Sequence, residues 1–149
     1  MANHLTPAVS RAPKNHCFGC GKENPYSMRL KFRYDEKQRL VAGAFRLGRR
    51  YSGPPGYCHG GIIATILDEA MAKLNQPNQV TAVTAHMAVD YLRPVPLYQP
   101  LRAEARETRI GGRRRFRSAA ILNEDGVVLA RAEGVFIAID RKKAAARSV

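Results

Sequence analysis

Gly61-Ile62-Ile63-Ala64-Thr65-Ile66-Leu67-Asp68-Glu69-Ala70-Met71-Ala72-Lys73-Leu74 is the stretch on which the fold turns. Ile62, Ile63, Ile66, Leu67, Ala70, Met71 and Leu74 recur at i, i+3 and i+4 spacing, which makes one wide apolar stripe on a helix. Asn75 and Pro77 supply the stop. A stripe this wide has to be covered, so the helix belongs inside the molecule. Two acids sit on it. Glu69 has Lys73 at i+4 in the favourable order, and a surface ion pair accounts for it. Asp68 lies at the stripe's margin, about 60° around the helix from Met71. Its helical neighbours are Ala64, Thr65, Met71 and Ala72, none of them a cation. A carboxylate in that position is costly unless it is paired or used. Two readings stand: a strand arginine or solvent meets it, or it is held free near a cleft as general base or nucleophile.

Just before the stripe come His59, Gly60 and Gly61. Two glycines let backbone approach a ligand closely. The first amides of a helix lack intrahelical partners and sit at the positive end of its dipole. Such amides, aimed at a carbonyl oxygen, would stabilise an oxyanion.

Beyond the helix the period falls to two. Stretches 80–92, 99–110, 113–122 and 127–140 read as strands, separated by Pro94 and Pro96, Gly111-Gly112, and Asn123-Glu124-Asp125-Gly126. In the first of them, Thr84, His86 and Asp90 fall on one polar face and Val83, Met87, Val89 and Tyr91 on the apolar one. Before the helix, 28–34 and 40–47 read as a hairpin turning at 35–38. Two strands, one apolar helix and four strands joined by short connections predict an α+β domain with an antiparallel sheet. One helix cannot cover both faces of that sheet, so a second subunit is expected to help. Residues 16–140 form the predicted domain, 1–15 a loose arm and 141–149 a frayed basic tail.

A chain of 149 residues builds one core. No apolar run nears the roughly 18 residues of a membrane span. Residues 1–14 lack the apolar segment of a signal peptide, so the cytosol is the expected location. The net charge is +13, which invites anionic ligands or serves solubility alone. Only Arg49-Arg50, Arg113-Arg114-Arg115 with Arg117, and Arg141-Lys142-Lys143 are dense, and no contiguous basic helix speaks for nucleic acid. The three cysteines are an odd number, which argues for reduced thiols. Cys17-x-x-Cys20 is half of a zinc pattern that His16, Cys58 or His59 could complete. No second pair follows, so neither metal nor cofactor is expected. Cys58 and His59 are adjacent and point apart, which disfavours a cysteine nucleophile.

His59-Gly60-Gly61 followed by an apolar helix carrying Asp68 resembles the signature of the PaaI-type hotdog-fold acyl-CoA thioesterases. The stretch from Val83 to Pro94, closing in Tyr91-Leu92-Arg93-Pro94, resembles that family's strand after the helix. Cys17-Phe18-Gly19-Cys20-Gly21 with Asn24-Pro25 resembles the opening of a subgroup close to mitochondrial thioesterases. The resemblance covers about residues 16–140. It implies one long central helix wrapped by a curved antiparallel sheet, and a homodimer, often doubled to a homotetramer, with active sites at the subunit interface. It implies metal-free hydrolysis of acyl-CoA to free acid and CoA. Asp68 matches the acid that activates water or attacks the carbonyl, and Gly60 the residue whose amide polarises it. His59 matches the histidine that shapes the site, and Thr84 a hydroxyl that holds the attacking water. Gly61 would lie beside the substrate. Arg93, Arg113, Arg114 and Arg115 are candidates for the CoA phosphates, which suit paired arginine contacts.

One departure bears on activity. Relatives carry Asn or Gln six residues before the histidine, where this chain has Gly53. A partner residue substitutes, or activity falls. The alternative is therefore a non-catalytic acyl-CoA binder on the same fold. A hotdog hydratase ranks low, because the chain has no Asp-x-Asn-x-x-His.

Overall fold

The computed structural model describes residues 13–146, with side-chain surroundings for 13–143. The apolar stripe forms α1, Gly60–Ala72, which runs on as a 3-10 turn to Asn75. His59 is its N-cap, and Ile63, Ile66, Leu67, Ala70 and Met71 are buried. The stop is where the sequence puts it, and Asn75 Nδ2 donates to Ala82 O at 2.8 Å, tying the helix end to the next strand.

Six strands follow the predicted order: β1 Arg33–Asp35, β2 Leu40–Phe45, β3 Ala82–Tyr91, β4 Leu101–Gly111, β5 Arg114–Leu122 and β6 Val128–Ala138. They form one sheet ordered β1-β2-β4-β5-β6-β3, antiparallel at every pairing. This is the expected α+β arrangement. α1 packs against five strands, β2 to β6. Five flat strands would span about 19 Å, nearly twice a helix diameter, so the sheet has to curve around α1. The sheet side facing α1 carries a patch of small residues: Ala103, Ala105, Ala119, Ala130 and Ala132 are all buried. Gly134 continues that row, and a Cβ there would lie 3.0 Å from Met71 Sδ. Large residues on the helix and small ones on the sheet let the two approach closely.

Two stretches depart from the sequence reading. Met28 to Phe32 do not pair as a strand, and β1 keeps only three residues. Arg29 takes a φ of 54°, which breaks an extended run. The amides of Met28 and Leu30 bond to Phe18 O and Gly19 O instead. At the other end, Arg141–Ala146 form a short helix, α2, where a frayed tail is predicted. Most of the predicted arm, residues 1–12, lies outside the described residues. No helix among the described residues is long and apolar enough to cross a membrane.

Candidate active site

Asp68 is half-buried on the side of α1 that faces β3. Thr84 Oγ1 donates to its Oδ1 at 2.6 Å. Asp68 makes no ion pair among the described residues. The strand-arginine reading of this acid therefore fails among the described residues, where the carboxylate has one neutral side-chain donor.

Thr84 reaches α1 because of a bulge. The β3–β6 register pairs Thr84 with Phe136 but His86 with Val135, so Ala85 is the extra residue. Strict alternation, which groups Thr84 with His86 and Asp90, is corrected here. Thr84 shares the helix-facing side with Met87, Val89 and Tyr91, opposite Phe136, Gly134, Ala132 and Ala130. His86 and Asp90 face outward, Asp90 to an ion pair with Arg131 at 3.0 Å. Val83 also faces outward and is 48% exposed.

The helix start is built as its composition suggests. His59 Nδ1 accepts the Gly61 amide at 2.9 Å, and His59 O accepts those of Ile62 and Ile63. The ring proton then resides on Nε2. Gly60 N–H, alone of these amides, has no acceptor among the described residues. Tyr91 Oη donates to Gly60 O at 3.1 Å and steadies the turn. Sequence reasoning put Tyr91 among apolar residues and missed this contact, although the Tyr91-to-Pro94 motif marks the residue. Gly53 lies close by. Its amide donates to Tyr57 O at 2.9 Å, and a Cβ would come 2.9 Å from His59 Cα. A side chain at 53 requires His59 to move.

The arginine run divides. Arg117 is 1% exposed, with Nε 3.2 Å from Glu107 Oε2 and Nη1 donating to Met71 O at 2.9 Å. It thus caps the negative end of α1. Burial lowers its pKa, which Glu107 partly offsets. Arg115 also pairs with Glu107, at 2.9 Å. Arg113 Nε donates to Ala138 O, while Arg93 and Arg114 are exposed without a partner among the described residues.

Burial pushes the Cys20 and Cys58 thiols up to about 11, so neither is a ready thiolate nucleophile. Cys58 is buried and lies apart from Cys17 and Cys20, which gather with Glu69 instead of with His16 or His59. A groove of about 630 Å³ lies across the outer sheet face, lined by Ala88, Asp90, Ser118 and Glu133 among others; Asp68 is not part of it.

Gly60 and Asp68 are eight residues apart on α1, a rise of about 12 Å. One thioester carbonyl cannot span that distance, so the two groups of a single chain cannot act on the same bond. β3, which carries Thr84 at one end and Tyr91 at the other, is a sheet edge whose outer side has no partner strand among the described residues.

A layered α+β domain with a buried helix, a marginal acid and a free helix-start amide belongs to a known class. The thioesterase superfamily model matches residues 55–130. The chain belongs to that superfamily and has the hotdog fold of its PaaI type. It is 32% identical over 111 residues to the acyl-coenzyme A thioesterase THEM4 of Rattus norvegicus, covering 74% of this chain and 48% of that one. The chain thus spans about half the length of the curated relatives it matches. A crystallised thioesterase superfamily protein superimposes with a TM-score of 0.79 at 28% identity, over 89% of this chain and 70% of that one. The Escherichia coli PaaI protein of a phenylacetic acid degradation operon shares the fold at a TM-score of 0.68 and 21% identity, over 74% of this chain and 80% of that one.

Proposed function

We propose that the protein hydrolyses acyl-CoA thioesters to free acid and CoA at a site made by two copies of the chain. The observation that carries this reading is the Asp68–Thr84 hydrogen bond at 2.6 Å, with no cation on the acid. Asp68 Oδ2 accepts no bond among the described residues and is left to take a proton from water or to attack directly. The Thr84 hydroxyl, donating to Asp68, keeps its lone pairs for that water. The Gly60 amide, unpartnered at the positive end of α1, polarises the thioester carbonyl. His59 holds that turn in shape through Gly61.

The 12 Å rise along α1 requires the acid and the amide to come from different protomers. Antiparallel self-pairing of β3 about its midpoint would meet this requirement. It sets Thr84 within about two residues, roughly 7 Å, of the partner's Tyr91, which carries the partner's Gly60 with it. The same pairing brings Arg93 of one copy towards Arg113 and Arg114 of the other, where CoA phosphates would be held. Arg115, tied to Glu107, supports that end of β5 and contributes at most a shared contact. The assembly is a homodimer or a dimer of dimers. Three free thiols fit the reducing cytosol.

A thiol-release screen over short, long and aromatic acyl-CoAs, run beside Asp68→Asn, tests the reading. The wild-type chain releases CoA from at least one substrate, and the variant is slower by about 10²–10⁴-fold. Equal release from both removes Asp68 from the chemistry. Gly53, where a side chain would collide with His59, favours the second reading of a non-catalytic acyl-CoA binder. That reading predicts tight CoA-ester binding and no release from any substrate.

A further inference from the structure

The segment ahead of β1 is folded onto α1 by its own hydrogen bonds. Gly21 N–H donates to Cys17 O at 2.8 Å and Cys17 N–H to Asn15 Oδ1 at 3.0 Å. Met28 N–H and Leu30 N–H donate to Phe18 O and Gly19 O at 2.8 and 2.9 Å. Two glycines make the turn possible. A Cβ on Gly21 would strike the backbone of Cys17 and Asn15, and one on Gly19 would come 2.6 Å from Glu69 Oε2. The loop therefore closes tightly on a carboxylate that projects from the helix.

Around that carboxylate, Cys17 Sγ, Cys20 Sγ and a Glu69 oxygen all lie within 4.8 Å of one another. Cys17 Sγ is 3.5 Å from Glu69 Oε2. Lys73 Nζ reaches in from α1, 3.1 Å from Glu69 Oε1 and 2.8 Å from Cys20 Sγ. One ammonium is thus shared between a carboxylate and a thiol, on a side chain still 31% exposed and free to swing outward.

We propose that Cys17, Cys20 and Glu69 form a binding site for a thiophilic divalent cation, zinc foremost, whose place Lys73 holds when the site is empty. The dimensions fit. Ligand distances of about 2.3 Å for sulfur and 2.0 Å for oxygen place the sulfur–oxygen edge of a zinc tetrahedron near 3.5 Å. Two thiolates select zinc over magnesium or calcium. Three protein ligands leave the fourth position to water. The sequence shows only half of the pattern, because the third ligand comes from α1 and is already explained there by Lys73. The site is separate from the thioester chemistry, since Asp68 turns towards β3 while Glu69 faces the cysteine loop. A bound cation would staple that loop to the central helix, and its binding would add to folding stability.

The test uses the full chain, purified under a non-chelating phosphine reductant from zinc-supplemented culture, then stripped and titrated with Co²⁺. One zinc per chain is expected by elemental analysis. Co²⁺ should give the near-ultraviolet thiolate charge-transfer band and the strong visible bands of tetrahedral cobalt. Both signals should be lost in Cys17→Ser/Cys20→Ser, whereas acyl-CoA turnover per folded chain persists. Lys73→Gln keeps all three ligands and removes the competing ammonium, so it should bind cobalt several-fold more tightly. A wild-type chain with no zinc and no cobalt band would overturn the proposal. So would cobalt binding that survives the double serine variant. If that variant fails to fold, Lys73→Gln decides, and cobalt binding unchanged or weakened there also overturns it.

Discussion

At the scale of single residues, the proposed chemistry rests on one acid, one hydroxyl and one amide. Thr84 provides the one side-chain hydrogen bond to Asp68 among the described residues, charge-assisted and short. Removing a bond of that kind costs about 1.5–3 kcal/mol, so Thr84→Ala should slow acyl-CoA turnover by about 10–100-fold, with Thr84→Ser close to wild type. An unchanged kcat in Thr84→Ala would separate the hydroxyl from the acid. The Gly60 amide can be deleted without unfolding the helix. Gly60 is the first helical residue, where proline is favoured, and His59 before it already has the extended backbone that a following proline demands. A Cβ at 60 meets only the Tyr91 ring, at 3.6 Å or beyond. Gly60→Pro is thus expected to keep its melting temperature and lose about 10²–10³-fold in kcat, while Gly60→Ala, which keeps the amide, stays active. Cys58 gives a test of a different kind. Burial raises its thiol from 9.0 to about 11, so the folded state holds that proton where the unfolded chain releases it. Its contribution is intact below pH 9 and is lost as pH rises towards 11. Urea midpoints should therefore fall more steeply above pH 9 for the wild type than for Cys58→Ala; parallel slopes would contradict the assignment.

At the scale of elements, β3 and the end of α1 show where pattern reading succeeds and where it stops. The stripe from Ile62 to Leu74 fixed the helix, because burial on a 3.6-residue period leaves few alternatives. Asp68 stood out on that helix for lack of a cation, and the described residues bring none to it. The face of Thr84 was out of reach, since one extra residue at Ala85 inverts the alternation and no composition marks it. The cluster of arginines misled in a similar way. Read as a run it is a basic patch, but a strand's period of two turns Arg115 and Arg117 inward and Arg114 outward. Arg117, clamped between Glu107 and Met71 O and stacked 4.7 Å over Phe136, joins β5 to the end of α1. Arg117→Leu leaves Glu107 with Arg115 and the Asn78 amide as partners and should cost about 3 kcal/mol of unfolding free energy, the low end for breaking a buried pair. Equilibrium urea unfolding measures it, and a loss under about 1 kcal/mol would reduce the cluster to a surface ion pair.

At the scale of the whole molecule, the sheet edge and the length of α1 point to the same conclusion. Among the described residues β3 has one side unpaired, and it exposes Val83 and Tyr91, at 48% and 54%. A single chain keeps its acid and its amide about 12 Å apart. Pairing two copies along β3 resolves both facts together. The sequence leads to the expectation of a second subunit by a separate route, from one helix having two sheet faces to cover. The proposal that this subunit also completes the chemistry was out of its reach, because it is argued from distances along α1 and not from residue types. Mixed dimers of Asp68→Asn and Gly60→Pro chains test this directly. Each variant alone is expected to be slowed by about 10²-fold or more. In a mixed dimer, one of the two sites joins an intact Asp68 to an intact Gly60 of the partner subunit. Co-refolding the two variants should restore acyl-CoA turnover equal to one working site per mixed dimer. If the mixture remains as inactive as its parents, although mixed dimers have formed, the acid and the amide do not meet across the interface and the account is wrong.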